Sequence, residues 1–219
     1  MSRPVIVIIG AGPGVSGSLA RRYADDGHDV GLVGIDGEQL VTLAADLEER
    51  GAAVAHTVAD ITDDAAARAA VTGLGERFGR IDVLHFNPSA FREEDPLTLS
   101  VEHLLADVRL GLGALLTALQ AARPFLSEGG RVTATGSMAA DQPWHRAASL
   151  GVQKAGLRNL VRSIDATLEP DGIRAVSVTV RGSLSDEGPF TADRVAEALH
   201  AAARQDPDAW RTEIPYTGR

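Results

Sequence analysis

The chain has 219 residues, 44% of them hydrophobic and 23% charged, with a formal net charge of −9 and no cysteine. This length and apolar content predict one domain, residues 1–219, with a substantial core. The acidic balance argues against a nucleic-acid groove or a contact with an anionic membrane, and the lack of cysteine excludes disulfides, thiolate catalysis and cysteine-based metal sites.

In chain order, residues 5–9 are a continuous β-branched run, as expected of a strand buried on both faces of a parallel sheet. That run is too short for a signal sequence or membrane span, so a cytoplasmic protein is expected. The glycine-rich segment Gly10-Ala11-Gly12-Pro13-Gly14 follows, then a helical pattern to about residue 26. Strands are predicted over 30–33, 53–58 and 83–86, separated by helices over 37–50 and 63–78. Ser100 reads as the N-cap of one long helix reaching residue 125 or 126 and broken by Gly129-Gly130. A strand over 131–135, a helix over 147–168 and a strand over 173–180 come next. A helix over 191–204 and a short strand over 213–216 complete the pattern. This alternation predicts a doubly wound parallel sheet, a three-layer α/β/α Rossmann fold.

Strand, glycines and helix together make a phosphate cradle, because glycines admit the backbone closely and the helix start offers free N–H groups. Gly12, Gly14 and Gly17 match one register of the motif, but Gly10 directly follows the strand. The better anchored register is Gly10-x-x-x-Gly14-x-Ser16, which also encloses Pro13 and Val15.

That loop resembles the G-x-x-x-G-x-G loop of the short-chain dehydrogenase/reductases, with Ser16 in place of the third glycine. The resemblance spans nearly the whole chain. Asp60-Ile61 is similar to the family's adenine-binding strand end, and Asp82 to Ser89 is similar to D-V-L-V-N-N-A-G, with Asn87 retained. The resemblance implies NAD or NADP as cofactor. At the end of the second strand, Gly34 stands where NAD-preferring members carry an acid, and Ile35 where NADP-preferring members often carry arginine. Asp36 is the nearby candidate for the ribose, and the absence of a basic residue favours NAD.

The family's chemistry rests on Asn, Ser, Tyr and Lys. Ser137 and Lys154 stand at the Ser and Lys positions, and Lys154 is also expected to hold the ribose. Leu150 occupies the tyrosine position and Arg109 the asparagine position. Leucine cannot transfer a proton, so a substitute is sought in His145, Arg109, Ser149 or Tyr216. The resemblance implies an atypical NAD(P)-dependent oxidoreductase acting on a small carbonyl or alcohol. The lost groups leave open a non-redox cyclase, dehydratase or isomerase, or a catalytically silent binding subunit. A short substrate lid is expected over about 183–190, and a homodimer or homotetramer through the helices over 100–125 and 147–168. The six histidines show no metal-ligand spacing, so no metal is expected.

Overall fold

The computed structural model describes residues 3–219. Seven parallel strands form one sheet in the order β3-β2-β1-β4-β5-β6-β7. They are β1 (Val5–Ile9), β2 (Asp29–Gly34), β3 (Val54–Val58), β4 (Ile81–Phe86), β5 (Leu126–Ser137), β6 (Arg174–Val180) and β7 (Glu213–Tyr216). Every residue of β1 is buried: Val5, Val7 and Ile9 face one layer, Ile6 and Ile8 the other. Each such side chain contributes roughly 1.5–3 kcal/mol of transfer free energy, which explains why this strand is apolar without alternation.

Helices α1 (Val15–Asp25), α2 (Gly37–Glu49) and α7 (Ala192–Ala203) cover one face. Helices α3 (Asp64–Phe78), α5 (Ala114–Ala122) and α6 (Ala148–Leu168) cover the other, with α4 (Val101–Val108) beside α6. Side chains mark most helix starts. Asp36 caps α2 through Glu38 N and Gln39 N, and Asp63 caps α3 through Ala65 N and Ala66 N. Ser100 and Thr191 do the same for α4 and α7. Helices α1, α5 and α6 start without a side-chain cap, at Gly14, Gly113 and Ala147, and of these Gly14 lies in the glycine-rich turn after β1.

Two expectations are corrected. The long helix over 100–125 is divided: α4 ends at Val108, a π-helical turn (Arg109–Gly113) follows, then α5, then a 3₁₀ turn (Arg123–Phe125). The π turn widens where the buried side chain of Gln153 fills the space a side chain on Gly111 would need. The strand after it begins at Leu126 rather than residue 131. Pro124 lies in the 3₁₀ turn that closes the helix, and buried Leu126 pairs with Ile81 before residues 127–130 bulge out and Arg131 pairs with Val83. The stretch Val101–Phe125 is long and apolar enough to cross a membrane by length and composition. Here its buried face, including Leu115, Ala118 and Ala122, packs into the core beneath α3 and the sheet.

One polar thread crosses this core. His85 on β4 is fully buried, with Nδ1 2.8 Å from Thr133 Oγ1 and Nε2 3.4 Å from Thr135 Oγ1. Burial, with a smaller effect from the Lys154 charge, pushes its pKa down to about 3. The unfolded chain binds a proton at this residue below pH ~6.5 while the folded chain does not. Stability that His85 leaves intact above that pH is therefore lost as pH falls from 6.5 toward 3. The expected result is a shallower acid limb in His85→Leu when unfolding free energy is followed from pH 6.5 to 4; an unchanged slope overturns this account.

Candidate active site

The strand order reverses between β1 and β4, and from there the connections run to helices on opposite faces of the sheet. Gly10 turns the chain after β1 with φ +80°, and a Cβ there would lie 2.7 Å from Pro88 Cγ. Its N–H and that of Ala11 both donate to Val33 O, at 2.9 and 2.8 Å. Ser16 is buried and donates to Gly10 O at 2.8 Å, so the serine in the third-glycine position ties the loop to its own helix. The closest helix-to-loop approach lies one residue later, where a Cβ on Gly17 would meet Gly12 O at 2.8 Å. Pro13 and Gly14 form the exposed crown, and Gly14 faces open space.

Two cavities flank this loop and share Ser89. The first, about 300 Å³, is an apolar slot lined by Val33, Ile35, Ile61 and Leu110, with Asp60 at its edge. Asp60 Oδ1 accepts from Thr62 N at 2.9 Å and Thr62 Oγ1 at 2.7 Å, which holds its pKa below the usual carboxylate value. The second, about 400 Å³, lies under the ends of β4, β5 and β6. Asn87, Ser137 and Lys154 open onto it among Val15, Phe91, Leu150, Val180, Leu184 and Val195. A larger, more open hollow of about 780 Å³ lies at the β7 edge. Its Arg158, Arg162 and Arg181 are already paired with Asp141 and Glu213, and it is remote from the glycine loop.

Ser137 ends β5, and its Oγ accepts from Ala139 N at 3.2 Å. Its own proton is thus free for an oxygen in the cavity. Lys154, on the inner face of α6, is 4% exposed and donates to Thr135 O at 2.8 Å. Burial pushes its pKa down to about 8. Leu150 lies one turn earlier on the same face and supplies an apolar wall.

The other sequence candidates do not join them. Arg109 sits on the π turn, where the helix face rotates outward, and it reaches Asp64 at 3.4 Å beside a different hollow. His145 is exposed in the turn before α6 and lines neither cavity. Asp36 is spent on the start of α2 and does not line the first slot. Ser149 donates to Asp107 Oδ2 at 2.7 Å. Tyr216 donates to Pro189 O at 2.6 Å and packs edge-on against Phe190, pinning the segment 183–190.

Supporting residues emerge only in three dimensions. Gln153 accepts from Ala90 N at 3.0 Å and donates to Ala90 O at 3.2 Å, clamping the loop after β4. Asp107 is buried, yet Arg92 and Ser149 outweigh the upward effect of burial and hold its pKa low. A glycine at 111 inside an apolar helical run was the available signal for the first. No metal-binding group of His, Asp and Glu occurs among the described residues.

The cradle fits a dinucleotide. A side chain on Gly14 would fill space that is open, the N-terminus of α1 lacks a side-chain cap, and an apolar slot and a polar cavity lie on either side. Gly34 is constrained for another reason: a Cβ there would lie 2.7 Å from Ala11 O and 3.1 Å from Leu40 Cδ2.

The comparisons with known proteins agree with this geometry. The sequence profile described as short chain dehydrogenase matches residues 4–186. Sulfoacetaldehyde reductase 2 of Chromohalobacter salexigens is 28% identical over 180 residues, 80% of this chain and 70% of that protein. Serine 3-dehydrogenase of Rhizobium radiobacter is 28% identical over 221 residues, 91% of this chain and 88% of that one. A short chain dehydrogenase of Burkholderia cenocepacia, solved in complex with NADP, superposes with a TM-score of 0.89 at 26% identity, covering 99% of this chain and 96% of the other.

The steric limit at Gly34 is testable. Gly34→Asp should cost about 1–3 kcal/mol through forced displacement of the loop, without tighter NADH binding. Thermal unfolding and a fluorescence titration check this; an unchanged Tm overturns it.

Proposed function

This chain belongs to the short-chain dehydrogenase family, and on that premise we propose that it is an NAD(P)-dependent oxidoreductase of a small carbonyl compound or its alcohol. The supporting observation is the pair of cavities joined at Ser89, one apolar and one bearing Asn87, Ser137 and Lys154. In this reading Val33, Ile35 and Ile61 pack the adenine, with Asp60 at the slot's edge. Gly10, Gly12, Pro13, Gly14, Val15 and Ser16 form the pyrophosphate turn at the start of α1. Asn87 and Lys154 flank the nicotinamide end. When bound, the dinucleotide supplies or accepts the hydride. Ser137 donates its free proton in a hydrogen bond to the substrate oxygen and fixes its position.

The active site is atypical in this reading because Leu150 stands at the position of the family's tyrosine. The second cavity is mostly apolar and about 400 Å³, which suits a small, largely uncharged substrate. No Arg or Lys lines the adenosine slot, whereas Asp60 does, so NAD(H) is the preferred cofactor.

The protein also assembles with itself in this reading. Val101 and Leu105 on α4, Leu116 on α5 and Val152 on α6 are exposed apolar side chains on the outer helices. Their burial in a homodimer or homotetramer removes that surface from water.

Titration of the protein with NADH and NADPH, followed by nicotinamide fluorescence, tests the reading. Tighter binding of NADH is expected. No binding of either at about millimolar concentration, far above ordinary cofactor affinities, overturns it in favour of a non-redox enzyme or a silent binding subunit. Ser137→Ala should leave NADH affinity intact and lower turnover by about 10²-fold or more, the scale of removing one donor from the reacting oxygen. For assembly, light scattering should give a multimer mass that Leu105→Glu with Leu116→Glu reduces; a monomer mass for the unmodified protein at all concentrations rejects it.

A further inference from the structure

The chain contains a single lysine, Lys154, against twenty arginines. Arginine stays charged at any ordinary pH, whereas a buried lysine can lose its proton near neutrality. The one amine is thus placed where twenty other cationic positions use a group that cannot titrate.

Its surroundings are equally specific. Among the residues lining the second cavity, Lys154 is the one side chain that ionises in the ordinary pH range. An ammonium has three N–H donors. One goes to Thr135 O, and no second partner occurs among the described residues. Thr135 lies two residues before Ser137 on β5, about 7 Å along the strand. The alternative proton sources are engaged elsewhere or lie away from the cavity. Arg109 is paired with Asp64, Ser149 with Asp107 and Tyr216 with Pro189, and His145 lies outside the cavity.

We propose that Lys154 is itself the proton donor and acceptor at the substrate oxygen, the task for which Leu150 has no hydroxyl. The inference rests on the oxidoreductase reading above. In the reducing direction, the carbonyl carbon gains a hydride, with its electron pair, from the reduced nicotinamide, which is thereby oxidised. The π pair of the C=O bond moves to oxygen. That oxygen, held by Ser137, takes a proton from the Lys154 ammonium, and the neutral amine regains one from solvent. The reverse direction starts from the neutral amine.

Burial in the apolar cavity is the cause that brings this amine to a pKa of about 8. The charged groups on neighbouring elements are otherwise engaged. His85 on β4 is neutral, Asp107 on α4 is bonded to Arg92 and Ser149, and Asp141 is paired with Arg158 and Arg181. Arg131 and Arg174 lie at the opposite end of β5 and β6.

The single lysine makes the test direct. The protein labelled with ¹³C,¹⁵N-lysine shows one labelled side-chain amine by NMR, that of Lys154. Its signals should titrate with a midpoint near 8 and shift on addition of NADH. A midpoint near 10.4, the free value, overturns the inference, whatever the activity. A kinetic arm follows NADH oxidation with 1-phenyl-1,2-propanedione as probe. Reduction should slow as pH rises through about 8. Lys154→Arg, assayed at saturating NADH, should lose that inflection and lose about 100-fold or more in kcat, the scale of general acid catalysis. Adding Leu150→Tyr to that variant should restore at least part of the rate. Intact kcat and an unchanged pH profile in Lys154→Arg reject the proposal. Failure of NADH to bind wild type is a separate outcome that rejects the oxidoreductase reading instead.

Discussion

The carboxyl edge of the sheet depends on the close approach of the chain after β1 to the chain after β4. Gly10 makes that approach with a positive φ and no side chain, directly beneath Pro88. The same turn presents two N–H groups to Val33 O, which joins the ends of β1 and β2. Gly34 then lies against Ala11 O, so the next strand end is held at backbone distance as well. With these three strand ends locked, α1 starts at the crevice with its first N–H groups free of any side-chain cap. Most other helix starts are occupied by Asp, Ser or Thr. The cradle is thus built by withholding side chains where neighbouring turns use them.

A second constraint is the burial of Lys154. A charge in an apolar cavity with one hydrogen bond is held at a cost that burial imposes, so the pKa falls and loss of the proton relieves it. His85 lies on the far side of Thr135 and is driven to the neutral form by burial, with the lysine charge adding to that effect. The two groups reach the same residue differently, Lys154 through its carbonyl and His85 through its hydroxyl. Around them, Gln153 and Asp107 tie the loop after β4 to α6 and α4, so the cavity wall carrying Phe91 is anchored from both sides.

Much of this frame was legible in the chain. Periodicity placed all seven strands, and Gly10, rather than Gly12, as the start of the loop is the reading that its φ of +80° supports. The boundaries that failed share a cause. Residues 100–126 have an unbroken helical pattern, yet Gln153, 42 residues beyond Gly111, intrudes on that helix and widens it into a π turn. Leu126 reads as a helix end along the chain because its partner Ile81 lies on a strand distant in sequence.

The sequence by itself determined the doubly wound sheet, the glycine cradle and the absence of a hydroxyl at Leu150. These follow from local patterns: apolar runs, turn residues and the identity of one side chain. Only the tertiary structure decided which polar groups meet. Arg109, His145 and Asp36 stood near the expected site in a linear reading, but a widened turn, an exposed loop and a helix cap take them away from it. Lys154 remained because α6 lays it against β5, and its altered acidity comes from long-range packing that excludes water. Burial is a property of everything that surrounds a residue, so no spacing along the chain encodes it.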